Sequence, residues 1–233
     1  MRNVKLLTID TSTTSCSVAL TLGEELVAEY LVGQGKTLTA SLLDCIDDVL
    51  RRAGLAAEDL DGFGVAVGPG SFTGLRVGIA TVKGLAMATG KPVAGFSSLA
   101  MLAMNIPWGG HPVCPMFDAR KNEVYTGLYA CRDFPDPLMK DRVLPPARFL
   151  ESLEGPVIFV GDGAVRYREL IVDRLGDKAL FAPRVANLPR ASAGALLAMR
   201  AFARGEALSS ALLAPVYIRP SEAELARMNR ENG

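Results

Sequence analysis

Two sets of residues in this sequence lie at predicted turns and have the chemistry to hold a phosphate group or a metal-bound water. The first set follows an apolar run at residues 4–9 and consists of Asp10, Thr11 and Ser12. The second set follows an apolar run at residues 62–67 and consists of Gly68, Gly70 and Ser71. Backbone N–H groups and hydroxyls at such turns bind anions. The alternative for Asp10 is a turn-forming residue in a solvated hairpin.

A third set of polar residues surrounds a predicted hairpin turn at residues 119–122. It consists of Asp118, Arg120, Glu123 and Tyr125. These side chains could form a polar cluster in the second half of the chain. Alternatively, Arg120 and Glu123 pair across the turn and stabilise the hairpin by about a few tenths of a kcal/mol.

Imidazole and thiol metal ligands are scarce in the sequence. His111 is the single histidine and stands in a loop with glycines and a proline, so a site that needs two imidazoles is excluded. The four cysteines show no C-x-x-C spacing and are typical of buried cytosolic thiols.

The element that must position Gly68, Gly70 and Ser71 is a predicted helix over residues 71–89. Its only charged residues are Arg76 and Lys83, and a helix that is apolar nearly all round is buried in a core or an interface. Ser71 or Thr73 is expected to cap it. Small residues four apart, Gly74 and Gly78, would let another backbone approach closely.

The remaining pattern predicts an α/β chain. Strands are expected at 4–10, 15–22, 25–32, 62–67, 91–96, 113–118, 123–129 and 156–161, and helices at 38–53, 99–105, 161–176 and 191–205. Residues 132–146 are rich in proline and charge and are expected to form a loop. The chain has 233 residues and no net charge, which argues against stand-alone nucleic-acid binding. It shows neither a signal peptide nor a membrane span, so we expect a cytoplasmic protein.

The strand–strand–strand–helix–strand–helix–strand order matches one lobe of the actin, sugar-kinase and Hsp70-like fold. Four motifs narrow the match, and together they closely resemble the TsaB family, also called YeaZ: I-D-T-S-T at 9–13, G-P-G-S-F-T-G-L-R at 68–76, D-A-R-x-x-E-V-Y at 118–125 and P-V-Y-I-R at 215–219. The resemblance implies two lobes, residues 1–104 and 105–233, each a mixed sheet with flanking helices. The C-terminal helix is able to pack back on the first lobe.

The resemblance also implies a function. Proteins similar to this one are the non-catalytic, dimerising partner of TsaD, which installs threonylcarbamoyl on the adenosine 3′ of the tRNA anticodon. TsaE joins the complex, tRNA binds only through the complex, and ATP and metal are expected on the partner subunits rather than on this chain. The same surface can also close a homodimer. No residue is expected to be catalytic or to bind metal.

The helices at 38–53 and 71–89 are expected to form the partner surface. The residues predicted to make the contact are Leu42, Ile46, Gly74, Leu75, Gly78 and Val82. The turn residues near Asp10 and Gly70 would then be a vestigial phosphate-type site. In the catalytic paralogue a His-x-x-x-His pair binds metal, and the resemblance places Ser98 and Leu102 at those two positions.

An enzyme of the same fold remains the alternative. An ATP-dependent phosphotransferase or ATPase would use Asp10 for metal or phosphates and the glycine turn at 161–163 for adenosine. Asp162 would place a negative charge near the anionic end of the nucleotide. A metallopeptidase is disfavoured because the histidines are missing.

Overall fold

The computed structural model describes residues 4–33 and 42–219 and contains two five-stranded mixed sheets. The first sheet has the order β3-β2-β1-β4-β5, and its strands are β1 (Lys5–Asp10), β2 (Cys16–Leu22), β3 (Glu25–Val32), β4 (Gly62–Gly68) and β5 (Val93–Ser97). Two helices contact one face of this sheet: α1 (Leu42–Arg52) and α2 (Phe72–Thr89). The start of the predicted helix at 38–41 and the tail at 221–233 lie outside the described residues.

The second sheet repeats this plan. Its strands are β6 (Val113–Asp118), β7 (Val124–Cys131), β8 (Pro135–Leu144), β9 (Val157–Val160) and β10 (Ala179–Phe181). The order is β8-β7-β6-β9-β10. In each sheet the first strand pairs antiparallel with the second and parallel with the fourth. The helices between its strands and at its start are α3 (Ser98–Ala103), α4 (Pro146–Leu150), α5 (Asp162–Arg166) and α6 (Arg168–Leu175).

The last helix, α7 (Ala191–Ala203), returns to the first sheet, where it contacts β1, β2, β4 and β5. Small residues let it lie close to the strands: a Cβ at Gly194 would come within 2.5 Å of the Phe96 ring. The Ala191 N–H donates to Ser17 Oγ at 2.9 Å, and Arg190 forms an ion pair with Glu29 at 2.7 Å. The segment that follows the second sheet therefore completes the first lobe.

The helix α2 begins at the predicted cap Ser71 and ends at Gly90. Ser71 Oγ accepts a hydrogen bond from the Gly74 N–H at 3.3 Å, and Gly90 ends the helix with a φ of 70°. Such a left-handed residue at a helix end is usually glycine because glycine has no Cβ. The buried face of α2 includes Leu75, Ile79, Val82 and Ala86, which pack in the core of the first lobe.

Two predictions of secondary structure were wrong, and one strand was missed. Residues 132–146 were predicted to form a loop, but they contain β8, which pairs with β7 at the edge of the second sheet. An edge strand tolerates prolines such as Pro135 and Pro137, because one side of it needs no ladder hydrogen bonds. The predicted helix over 161–176 is two helices separated at Tyr167. β10 was not predicted, since three residues give too short a pattern to recognise.

Candidate functional site

The ends of β1 and β6 face a cleft between the two lobes. The cleft contains a cavity of about 260 Å³. It is lined by Ser12, Thr13, Thr14, Gly70, Ser71 and Phe72 of the first lobe and by Phe117, Asp118, Ala119, Arg120, Tyr125 and Asp162 of the second. The structure therefore brings the predicted phosphate-type turn and the predicted polar cluster of the second lobe to one cavity, although more than 100 residues separate Ser12 from Asp118 in the chain.

Asp10 lies beneath the first-lobe wall of this cavity and is fully buried. Its Oδ1 accepts a hydrogen bond from the Ser12 N–H at 3.0 Å. Among the described residues, Asp10 Oδ2 and Ser12 Oγ have no hydrogen-bond partner. Burial raises the pKa of Asp10 from its ordinary 3.8 to about 6, because a charged carboxylate is poorly solvated there. The turn holds a buried carboxyl group rather than the solvated Asp of the alternative prediction.

The glycine turn packs directly on this aspartate turn. The Ser71 N–H donates to the Ser12 carbonyl oxygen at 2.7 Å, and a Cβ at Gly70 would overlap that same carbonyl. One turn later, Thr11 Oγ1 donates to the Gly74 carbonyl oxygen at 2.7 Å. Glycine is required at position 70 for this close approach. The N-terminus of α2, with its partial positive charge, consequently lies at the cavity wall.

The second-lobe wall carries carboxylates. Asp118 accepts hydrogen bonds from the Arg120 N–H at 3.0 Å and from Arg166 Nη1, also at 3.0 Å. The Asp118 N–H in turn donates to Asp162 Oδ1 at 3.1 Å. The two walls thus differ in character, since the first offers hydroxyls and a helix N-terminus and the second offers two carboxylates beside arginines.

The predicted pair across the hairpin turn was wrong. Arg120 pairs with Asp118 at 3.4 Å, and Glu123 pairs with Arg219, which lies 96 residues further along the chain. The turn that separates Arg120 from Glu123 has three consecutive residues with positive φ, Arg120, Lys121 and Asn122. Tyr125 lines the cavity.

The residues predicted for partner contact on α1 and α2 face inward. Four side chains lie in the core of the first lobe with at most 4% of their surface exposed: Leu42, Ile46, Leu75 and Val82. A Cβ at Gly74 would overlap the Thr11 carbonyl oxygen, and one at Gly78 would overlap Thr11 Oγ1. The choice of these six positions was therefore wrong, because they hold the helices to their own sheet.

The outward face of α2 has a different set of residues. Its exposed positions are Phe72, Thr73, Arg76, Ala80, Gly84, Met87 and Ala88. Met87 is 74% exposed, and no atom lies within 4 Å of a Cβ built at Gly84. The sequence already indicated this side of the helix, since its only charged residues, Arg76 and Lys83, fall on one stripe with Ala80 and Met87 at helical spacing.

The two positions that correspond to the paralogue's histidines lie in α3. Ser98 and Leu102 are both fully buried, and the Ser98 hydroxyl donates to the Pro69 carbonyl oxygen. His111 is exposed in its loop. Within residues 4–33 and 42–219, no group of three His, Cys, Asp or Glu side chains is placed to hold a metal ion.

Three residues at the cleft were given no individual role by the sequence patterns: Phe72, Arg166 and Arg219. Arg219 ends the P-V-Y-I-R motif, which was the one available indication of its importance. Arg166 gave no indication because its partner, Asp118, is 48 residues away in the chain.

Helix length and hydropathy bear on membrane association. In the part of the chain that the structure describes, no helix is both long and apolar enough to cross a bilayer.

Comparison with known proteins gives consistent matches. A family model described as TsaD, tRNA N6-adenosine threonylcarbamoyltransferase, matches residues 34–227. The tRNA threonylcarbamoyladenosine biosynthesis protein TsaB of Bacillus subtilis is 33% identical over 94% of this chain and 96% of its own length. The solved structure of YeaZ from Pseudomonas aeruginosa is 34% identical, covers 92% of this chain and 99% of its own, and superposes with a TM-score of 0.80.

More distant structures share only the fold. The ROK hexokinase of Thermus thermophilus superposes with a TM-score of 0.50 at 13% identity, over 86% of this chain and all of the hexokinase chain. This match, together with the repeated sheet order, confirms the two-lobe fold of the actin and sugar-kinase type.

Proposed function

The chain belongs to the TsaB (YeaZ) family and takes part in the threonylcarbamoyladenosine modification of tRNA, and we propose that it is the non-catalytic subunit that binds and activates TsaD. In this role the chain supplies a docking surface and no reacting group. TsaE joins the complex, and tRNA reaches this chain only through the complex. The proposal places the protein in the cytoplasm, where tRNA is modified.

The observation that carries the proposal is the environment of Ser98 and Leu102. The family resemblance places these residues where the catalytic paralogue has its metal-binding histidines. Neither an aliphatic side chain nor a serine hydroxyl can replace imidazole at a transition metal. Both residues are fully buried, and Ser98 is engaged with the Pro69 carbonyl. ATP and metal are accordingly assigned to the partner subunits.

The outward face of α2 is the surface that we assign to the partner. Ala80, Gly84 and Ala88 are exposed at spacings of four, so their small side chains form a row along the helix on which a partner helix can pack closely. Met87 adds exposed apolar area, and on α1 Leu43 is 63% exposed. The same surface can join two copies of this chain when TsaD is absent, which gives the homodimer.

The experiment that tests the proposal measures transfer of threonylcarbamoyl to tRNA by purified TsaD and TsaE, with and without this chain. We expect transfer only when this chain and TsaD are combined. A reaction of this chain alone with ATP, with TsaD left inactive, would instead support the phosphotransferase or ATPase alternative. That alternative is favoured by the position of the α2 N-terminus at the interlobe cavity, and opposed by the carboxylates of Asp118 and Asp162 on the facing wall.

A matched pair of variants tests the surface itself. Gly84→Arg places a long charged side chain on the outward face of α2, and we expect at least about a tenfold loss of TsaD-dependent transfer. Gly155→Arg is the control, because Gly155 also has no atom within 4 Å of a Cβ but lies in the second lobe. Equal activity of both variants and the unmodified chain, at saturating and at limiting concentrations, would contradict the assignment of this face.

A further inference from the structure

Residues 213–219, which we call the strap, cross from the first lobe to the second beside the cleft. The strap begins at Leu213, which is buried in the core of the first lobe. Lys83 Nζ donates to the Leu213 carbonyl oxygen at 3.0 Å, and the Val216 N–H donates to the Val67 carbonyl oxygen at 2.8 Å. The backbone of the strap is therefore held to α2 by the Lys83 side chain and to the end of β4 by a main-chain hydrogen bond.

The middle of the strap covers the N-terminus of α2. Tyr217 stacks on Phe72 with ring centroids 5.1 Å apart, and Arg76 Nε donates to Tyr217 Oη at 3.0 Å. The Arg76 guanidinium also lies 3.8 Å from the centroid of Phe72. Because Phe72 lines the cavity, these contacts attach the strap directly to the first-lobe wall of the cleft.

The end of the strap reaches the second lobe through one side chain. Arg219 Nη1 donates to the Ala119 carbonyl oxygen at 2.7 Å, Nη2 pairs with Glu123, and the guanidinium lies 5.7 Å from the Tyr125 ring. The planar guanidinium presents several donors in a fixed geometry, so it can bind a carbonyl and a carboxylate at once. The Arg219 side chain is only 21% exposed, so water and salt weaken this ion pair less than they weaken a fully solvated one.

From these contacts we propose that the strap is a latch that holds the two lobes together around the cleft, with Arg219 as its releasable end. Its attachment to the first lobe uses backbone and core contacts, whereas its attachment to the second lobe uses the guanidinium of Arg219. Opening of the cleft therefore requires the loss of the Arg219 contacts while the rest of the strap stays in place. The latch does not depend on TsaD or on any assigned activity.

A second contact between the lobes explains why opening would be a rotation rather than a separation. Ser97, at the end of β5, donates to Asp141 Oδ2 on β8 at 2.7 Å, and Tyr129 donates to the other oxygen of Asp141. These contacts do not involve the strap and remain when Arg219 is released.

The test measures the distance between spin labels on the two lobes in the isolated chain of 233 residues. Exposed Glu24 and Glu169 are replaced by cysteine for labelling, and partly exposed Cys45 by alanine. Cys16, Cys114 and Cys131 are buried, and burial raises the pKa of each thiol to about 12, so they resist labelling. We expect Arg219→Ala to give a longer and broader distance distribution than the unmodified strap.

Three further variants make the result decisive. Glu123→Gln weakens the same latch from the second lobe and should also broaden the distance distribution. Arg219→Lys keeps the positive charge, so it should broaden the distribution less than Arg219→Ala does. Arg204→Ala removes an exposed arginine outside the strap and should change nothing. Unchanged distributions in folded Arg219→Ala and Glu123→Gln would overturn the proposal, as would equal broadening in Arg204→Ala.

Discussion

Asp10 in the first lobe and Asp118 in the second end equivalent strands, and each accepts a 3.0 Å hydrogen bond from the backbone N–H two residues later. The surroundings of the two carboxylates nevertheless differ. Asp10 is fully buried, and within the described structure its second oxygen has no hydrogen-bond partner. Asp118 pairs with Arg120 and Arg166 at the cavity wall. The same backbone arrangement therefore holds one carboxyl group whose ionisation is disfavoured by burial and another whose negative charge is paired with arginines.

The glycine turns of the two lobes are alike where the aspartates differ. Gly70 and Gly74 pack on the backbone that follows β1, and Gly161 and Gly163 pack on the end of β6. Each turn brings the N-terminus of a helix against the first strand of its sheet. The comparison indicates that close backbone packing belongs to the shared plan, whereas the electrostatics of each wall depend on side chains that are particular to one lobe.

The largest expected effect comes from filling these close approaches. In Gly161→Ala the new Cβ would overlap the Met116 carbonyl oxygen, and the backbone has a φ of 109°. Overpacking and backbone strain together should lower the free energy of unfolding by about 4 kcal/mol. Gly74→Ala should also be strongly destabilising, because its Cβ would overlap the Thr11 carbonyl oxygen. Urea denaturation measures both.

The control for this prediction lies on the same helix as Gly74. Gly84 is exposed, with no atom within 4 Å of a Cβ, so Gly84→Ala should stabilise the protein by up to about 1 kcal/mol through helix propensity alone. A Gly74→Ala protein as stable as Gly84→Ala would show that the first turn of α2 does not depend on close packing with Thr11.

The next effect concerns the buried carboxyl group. The folded-state pKa of Asp10, about 6, lies above its ordinary 3.8, so the folded state holds the proton more tightly. The contribution of protonated Asp10 to the free energy of unfolding is fully present below pH 3.8 and is lost as the pH rises through 6. One pKa unit corresponds to about 1.4 kcal/mol, so ionisation costs the folded protein about 3 kcal/mol. Asp10→Asn should lack this loss and be more stable than the unmodified chain at pH 7.

The measurement is urea denaturation of both proteins at pH 4 and pH 7, because the pH dependence of all other groups cancels in the difference. Asp118→Asn is the counterpart in the second lobe. It removes ion pairs with two exposed arginines and should destabilise the protein by less than about 1 kcal/mol at pH 7. Effects of the same sign in the two variants would contradict the contrast between the lobes.

The smallest effect concerns helix capping. Ser71→Ala removes the oxygen that accepts the Gly74 N–H and should lower the free energy of unfolding by about 1 kcal/mol. In the second lobe, Gly161 precedes α5 and offers no side-chain cap. Thermal denaturation measures the change, and Ser71→Asp should retain stability because a carboxylate also caps a helix. A neutral Ser71→Ala would mean that water replaces the cap at the cavity wall.

Much of the fold could be predicted because its information is local. Residues 25–32 and 113–118 form strands with the predicted bounds, and α2 begins beside the predicted cap Ser71 and ends at residue 89, as predicted. Prediction failed where the local pattern conflicted with position in the sheet. The prolines near residue 135 are compatible with β8 only because β8 lies at the edge, and strand order is not visible in a local pattern.

The site was predicted in part, because the composition of its turns is also local information. The turns that contain Asp10, Gly70 and Asp118 were identified from their composition, and the structure brings their residues to one cleft. The inward direction of Gly74 and Gly78 was not identified, because a helix that is apolar nearly all round gives little indication of which side meets the sheet. The contact with Thr11 decides that direction.

The sequence by itself determined the types and order of most elements, the family motifs, and the lack of a second histidine for a metal site. These properties follow from residue identity and short-range periodicity. Only the tertiary structure decided that Arg219 pairs with Glu123 across 96 residues and that the pKa of Asp10 is raised to about 6. Burial and charge pairing depend on neighbours that folding brings from distant parts of the chain, so no local pattern contains them.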